Sequence, residues 1–331
     1  MVINFLWLVD TRLFCPPPNA SSAEMGEYFF IVSGKEIHRM PPMKFLFHAL
    51  ALATVGLALL TGCITAGGKA VGEVPANSVA NEGTPLTAVE IAARLRIAEK
   101  QRELTTEAGV VYTFNRDIVI EETDGKDKLK RRQTRRFRSF SDNRIPELLR
   151  YDGNPPTPEQ VKKERKKISE NKLKFLGDGK PDKSDSDGDP NLLVRQIELY
   201  GDHFIPRLIG TETIEGRPAY VLQFLLNPEK RFEDSLVNMV IQHLLIKVWI
   251  DQKEFQIAKL DAELINPLYA LGGLAGTVKT FKLTARQKRL TPEIWADWKV
   301  TSDIRGRILW ETRVIQFTSE STEFKRLPQP E

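Results

Sequence analysis

From Gly109 onward the chain changes period. In GVVYTFNRDIVIEE (Gly109–Glu122) apolar and polar residues alternate, which sets a strand with one face toward a core and the other toward water. Asp124-Gly125 supplies a tight turn, and Lys128–Phe140 is the expected antiparallel partner. The pattern recurs at Phe204–Glu212, at Ala219–Leu225 after a turn exit at Gly216-Arg217-Pro218, and at Leu244–Asp251 and Phe255–Ile265. Ile294–Ile304 and Arg307–Phe317 complete the set, with Arg305-Gly306 read as their hairpin turn. A stretch around Gly272, Gly273 and Gly276 reads as a bend or bulge in a strand, or a mobile loop over an opening. Pro206 makes its strand an edge strand or an irregular one. Strands that follow one another through short turns pair antiparallel.

Helices stand before and between these strands. Thr84-Pro85 opens one that runs to about Leu104, with Ala88, Ile91, Ala92 and Leu95 on one face. Thr157 and Gln160 form a Thr-x-x-Gln capping box ahead of a highly charged helix whose few apolar positions, Val161, Ile168, Leu173 and Leu176, bury only a narrow stripe. Asn191 caps a short helix, Leu192–Tyr200, and Phe232–His243 has helical spacing. The fold class is therefore α+β: a strongly curved antiparallel sheet with helices covering its concave side.

The N-terminal part obeys different rules. Met43-Lys44 gives a short basic start, Phe45–Leu60 an apolar run of about 16 residues, and Thr61-Gly62 a small pair. The run is too short to cross a roughly 30 Å hydrocarbon core comfortably, so a removed targeting segment fits better than an anchor helix. Leu60-Thr61-Gly62-Cys63 resembles the lipobox of bacterial lipoproteins, which implies that the Cys63 thiol is lipidated and becomes the mature N-terminus. Cysteine usage agrees, because Cys15 and Cys63 are the only two and cleavage leaves one, with no internal disulfide to make. Residues 1–42 then read as a mis-assigned start, 43–62 as the signal peptide, 63–83 as a flexible tether and 84–327 as the working domain, with a charged helix and disordered insertion at 155–191.

Charge narrows the partners. Lys and Arg total 48 against 44 Asp and Glu, a balance that excludes a dedicated nucleic-acid binder. The basic strand KLKRRQTRRFRSF is locally extreme, and hairpin pairing should place Asp117, Glu121 and Glu122 across from it. Lys128, Lys130, Arg132 and Arg136 remain candidates for contact with an anionic surface, since a lipid tether would hold the domain near one. In the acidic loop, Asp185, Asp187 and Gly188 imitate part of a calcium loop, but Lys183 and Val194 stand where that loop requires acids, so no metal site is read there.

The stretches GRPAYVLQFLLNP and VWIDQKEFQIAKLDAE resemble the core of the LolA/LolB-like superfamily of outer-membrane lipoprotein-sorting proteins, which includes RseB-type periplasmic sensors. The resemblance spans Thr84 to Leu327. It implies an incomplete β-barrel around an apolar cavity under a helical lid; the chain carries no Gly-x-Ser-x-Gly, His-Glu-x-x-His, phosphate-cradling glycine loop or Cys-pair metal pattern, so no catalysis and no cofactor are expected. With the lipobox the resemblance implies an acyl-chain or lipoprotein ligand, and Ile64 after the cysteine implies the periplasmic face of the outer membrane. Tyr220, Leu222, Phe224, Trp249, Ile257 and Trp298 are the candidate cavity walls, although any filled core would use the same side chains. Two further readings stay open: an interaction or structural lipoprotein with a filled core, and a hydrolase built on His203 or His243. Asp251 needs no catalytic role, because an acid leading into a turn is what turn chemistry selects.

Overall fold

The computed structural model describes residues 85–107, 111–141, 145–175, 203–230, 240–270, 276–291, 294–308 and 310–327. The alternation after Gly109 becomes β1 (Tyr112–Asp124), and the basic segment becomes β2 (Leu129–Phe140). Asp124 closes the turn between them: its carboxylate accepts from the Lys126 and Lys128 amides at 2.8 and 3.0 Å. The remaining strands are β3 (Glu147–Tyr151), β4 (Phe204–Ile214), β5 (Arg217–Leu226), β6 (Leu244–Asp251), β7 (Ile257–Leu264), β8 (Leu268–Ala270), β9 (Gly276–Thr291), β10 (Ile294–Ile308) and β11 (Glu311–Arg326).

All of these belong to one antiparallel sheet ordered β3-β2-β1-β11-β10-β9-β7-β6-β5-β4, with β8 pairing β9 beside that path. The order joins the two ends of the domain, since β1 lies along β11 from Tyr112↔Arg326 to Asp124↔Arg313. β3 and β4 close the path at either end without pairing to each other, so the curved sheet stays open. β4 is the edge strand that Pro206 demanded.

Among the described residues two long helices cover one face. α1 (Ala88–Glu107) starts one turn later than Thr84-Pro85 suggested, because Thr87 makes the cap. Its hydroxyl accepts from the Glu90 amide at 3.3 Å while Glu90 accepts from the Thr87 amide at 2.8 Å, a reciprocal box. α2 (Pro158–Phe175) carries the Thr157–Gln160 box expected from the sequence, at 2.8 and 3.3 Å. Ile91, Ala92 and Leu95 of α1 and Ile168 of α2 are buried in one apolar cluster with Leu222, Ile246, Leu260 and Phe281 of the sheet. No described helix is long and apolar enough to cross a membrane.

Several expectations are corrected. Arg305-Gly306 is no turn: both residues lie within β10, paired to Val314 and Arg313, and the chain reverses beyond Ile308. Gly306 stands there because its neighbour is too close for a side chain. A Cβ on it would lie 2.8 Å from the Thr277 carbonyl oxygen. Gly272 and Gly273 lie outside the described residues, and Gly276 begins β9, a central strand of 16 residues in which Phe281, Leu283 and Ala285 alternate inward. Phe255 belongs to the turn rather than to β7, with a left-handed backbone (φ 52). β3 has no counterpart in the sequence reading. The lipobox segment, the tether, the acidic insertion, the Leu192–Tyr200 helix and most of Phe232–His243 lie outside the described residues.

Candidate functional site

The helix-covered face of the sheet is the natural candidate, and the parity of each strand decides what reaches it. On β5, Tyr220, Leu222 and Phe224 point toward α1, while Ala219 and Val221 point away. Ile257 joins the same apolar face, and Phe255 stacks on Tyr220 with ring centroids 6.3 Å apart. Four of the six expected wall residues are thus brought together. Trp249 is on the opposite face, in a small cluster with Ala219 and Val221. There its indole N–H donates to Glu212 at 2.8 Å, and the Lys259 ammonium lies 3.9 Å above the ring. Trp298 stands apart from the apolar cluster, at a β-bulge between Asp297 and Lys299.

That bulge makes a second feature of the same face. Val300, Ser319 and Ser321 line a small hollow with Arg116, Asp297, Trp298 and Lys299. β1 puts Arg116 into the run Phe114, Arg116, Ile118, Ile120, in which every other member is apolar and buried. The guanidinium is 4% exposed, 3.8 Å from Asp297 and 5.2 Å from the Phe114 ring centroid. Among the described residues its Nε has no hydrogen-bond partner. Burial lowers the Arg116 pKa from the ordinary arginine value, with the Asp297 carboxylate pulling the other way.

Arg135 on β2 is equally buried and is treated differently. It donates to Glu164 of α2 at 3.2 Å and to Gln133 at 2.7 Å, so the pair ties the second helix to the sheet. At the rim where β5 begins, Arg217 grips Asp251 with two bonds and reaches Glu254 at 3.1 Å, and Arg289 meets the same Glu254 at 2.8 Å. The Trp295 indole N–H adds a 2.6 Å bond to Glu254. Asp251 also accepts from the Lys253 and Glu254 amides at 3.0 and 2.8 Å, the turn role expected for it.

The basic strand is partly neutralised as the hairpin predicted. Arg136 holds Asp117 through bonds of 2.6 and 2.8 Å, and Arg132 lies 3.2 Å from Glu121. Glu122 turns instead to Arg313 of β11, at 2.9 Å. Lys128 and Lys130 are exposed. His203 precedes β4 and His243 precedes β6; the backbone carbonyls of both accept strand-end amides, from Asn227 and Ile265, at 2.8 Å each. Among the described residues no group of three or more His, Cys, Asp or Glu is placed to hold a metal ion.

The fold and this face define a class: an open, curved antiparallel sheet with an apolar face beneath two helices. Three solved structures show what the chain is similar to. A LolA superfamily protein from Nitrosomonas europaea matches with 12% identity and a TM-score of 0.27, over 74% of this chain and 96% of that one. The domain of an outer membrane lipoprotein-sorting protein from Vibrio parahaemolyticus matches with 10% identity and a TM-score of 0.30, over 71% and 95%. MucB matches with 10% identity and a TM-score of 0.21, over 70% and 92%. No protein-family description matches the sequence, and no characterised protein matches it by sequence.

Proposed function

We propose that this chain is a lipid-anchored envelope protein that holds an acyl chain or another apolar ligand on the helix-covered face of its sheet, in lipoprotein sorting or envelope sensing. The carrying observation is the build of that face. Leu222, Phe224, Ile246, Val248 and Leu260 form a continuous apolar surface on an open sheet, and its cover is separate helices rather than a second sheet. A helix that lifts exposes that surface without breaking a ladder, and each methylene it then buries contributes about 0.8 kcal/mol. The Cys63 lipid would keep the domain at the periplasmic face of the outer membrane, and Lys128, Lys130, Arg132 and Arg136 would rest against anionic head groups. No catalytic role is assigned.

One observation favours a second reading. Leu222, Val248 and Leu260 are each 0% exposed with α1 in place, as in a filled core serving envelope contacts. Native mass spectrometry of gently purified protein separates the two. Co-purifying lipid, displaced by a fluorescent fatty acid, is the expected result; lipid-free protein that also refuses the probe would establish the filled core. Cys63→Ser should shift the protein from the membrane to the soluble fraction, and unchanged fractionation would remove the anchor.

A further inference from the structure

We propose that the hollow at Arg116 is an oxyanion site that receives the carboxylate or phosphate head of an amphiphile. The proposal rests on the reading above for the tail, and on Arg116 alone for the head.

An arginine carries five N–H donors and stays charged at neutral pH, so burying it is costly unless those donors are met. The two buried arginines of this face show the contrast. Arg135 is 2% exposed and has a carboxylate and an amide oxygen within hydrogen-bond distance. Arg116 is 4% exposed, and its Asp297 contact is 3.8 Å, beyond that distance. Asp297 is itself shared, since Gln287 donates to it at 3.3 Å. The guanidinium is therefore held in place with donor capacity left over, at the wall of a hollow of about 10 Å³, room for one water, which a head group would widen on entering.

The surroundings suit an oxyanion. Ser321 sits directly across the ladder from Arg116, and Ser319 lies across from both Ile118 and Val300. Both serines line the hollow and bring hydroxyls that can donate. Lys299 borders the hollow with its ammonium drawn to Glu320 at 3.6 Å, which leaves Arg116 as the cation, and Trp298 adds an apolar wall. Asp297 is the opposing group, and it sets a limit: the site suits one compact oxyanion rather than a polyanion. Val300 belongs both to the hollow and to the apolar cluster, so a head group here can trail its tail onto the apolar face. A guanidinium can meet a carboxylate or a phosphate with paired N–H bonds, which fixes the head as well as attracting it.

Calorimetric titration of the full chain with octanoate, octyl phosphate, octanol and inorganic phosphate tests this. The expected result is octanoate or octyl phosphate binding at least about tenfold more tightly than octanol. Arg116→Gln should abolish that preference while leaving octanol binding alone. Equal binding of charged and neutral ligands, or a preference that survives Arg116→Gln, overturns the site. Should that variant fail to fold, Asp297→Asn decides: removing the opposing carboxylate should raise the preference several-fold, and an unchanged ratio counts against the proposal. Octanol reports on the apolar face by itself. Arg116-dependent binding of inorganic phosphate without any octyl ligand keeps the oxyanion site, assigns it to a free anion and overturns the amphiphile. No binding of any of the four overturns both readings.

Discussion

Arg217 holds both carboxylate oxygens of Asp251, Nε at 2.7 Å from Oδ2 and Nη2 at 2.9 Å from Oδ1, and so fastens the start of β5 to the end of β6. Burial alone would raise the Asp251 pKa. The Arg217 bonds and the Glu254 and Lys253 amides outweigh it, and the pKa falls below the ordinary 3.8. A carboxyl depressed on folding stabilises the fold above its unfolded pKa, and that contribution is lost as pH drops through the folded value. Asp251→Asn should cost about 2 kcal/mol at pH 7 and progressively less below about pH 4. Urea unfolding at pH 7 and pH 3 checks it; an equal cost at both would mean that the charge contributes nothing.

Trp249 and Leu222 lie on neighbouring strands but face opposite sides of the sheet. Trp249→Phe loses the bond to Glu212 and should cost about 1 kcal/mol while leaving fatty-acid affinity unchanged. Leu222→Ala should cost about 2–5 kcal/mol and alter that affinity. Probe titration on both variants is the check, and an effect confined to Trp249 would move the ligand to the other face.

The Arg135–Glu164 pair is buried on both sides, at 2% and 4% exposure. Removing one partner strands the other charge, so Glu164→Ala should cost about 3–5 kcal/mol. Replacing both by methionine should recover most of that loss. A double-mutant cycle by chemical denaturation measures the coupling, and additive losses would show that α2 is held by packing alone.

Gly306→Ala is expected to destabilise the domain by about 1–3 kcal/mol, because the new methyl meets the Thr277 carbonyl oxygen at 2.8 Å. The shift should appear in thermal melts as a lower Tm with two-state behaviour retained. A neutral substitution would mean that β9 and β10 can separate locally at no cost.

Much of this architecture is legible in the sequence because period two survives in most strands. The β1–β2 hairpin follows from alternation plus Asp124-Gly125, and the α2 cap from Thr-x-x-Gln, whereas the Thr87–Glu90 box of α1 stands three residues beyond the start read at Thr84-Pro85. What escapes is set by contacts that local pattern does not encode. Gly306 imitates a turn signal, although its cause is a neighbouring backbone. The bulge at Asp297–Lys299 changes which side chains reach the covered face, and no alternation rule anticipates the extra residue. Trp249 was placed on the wall by its size, whereas parity with Ile246 and Val248 puts it outside. Arg116 did leave a trace: an arginine occupying a core-facing place in the otherwise apolar run Phe114, Ile118, Ile120.

The pairing of β1 with β11 sets when the sheet can be completed. Tyr112 finds its ladder partner in Arg326, so the first strand stays without one of its neighbours until the last has been made and delivered. Contacts of that sequence separation form slowly. A sheet whose path runs through both of its ends cannot be completed until β11 is available, so a chain cut short before β11 would leave β1 and β10 each with an open edge.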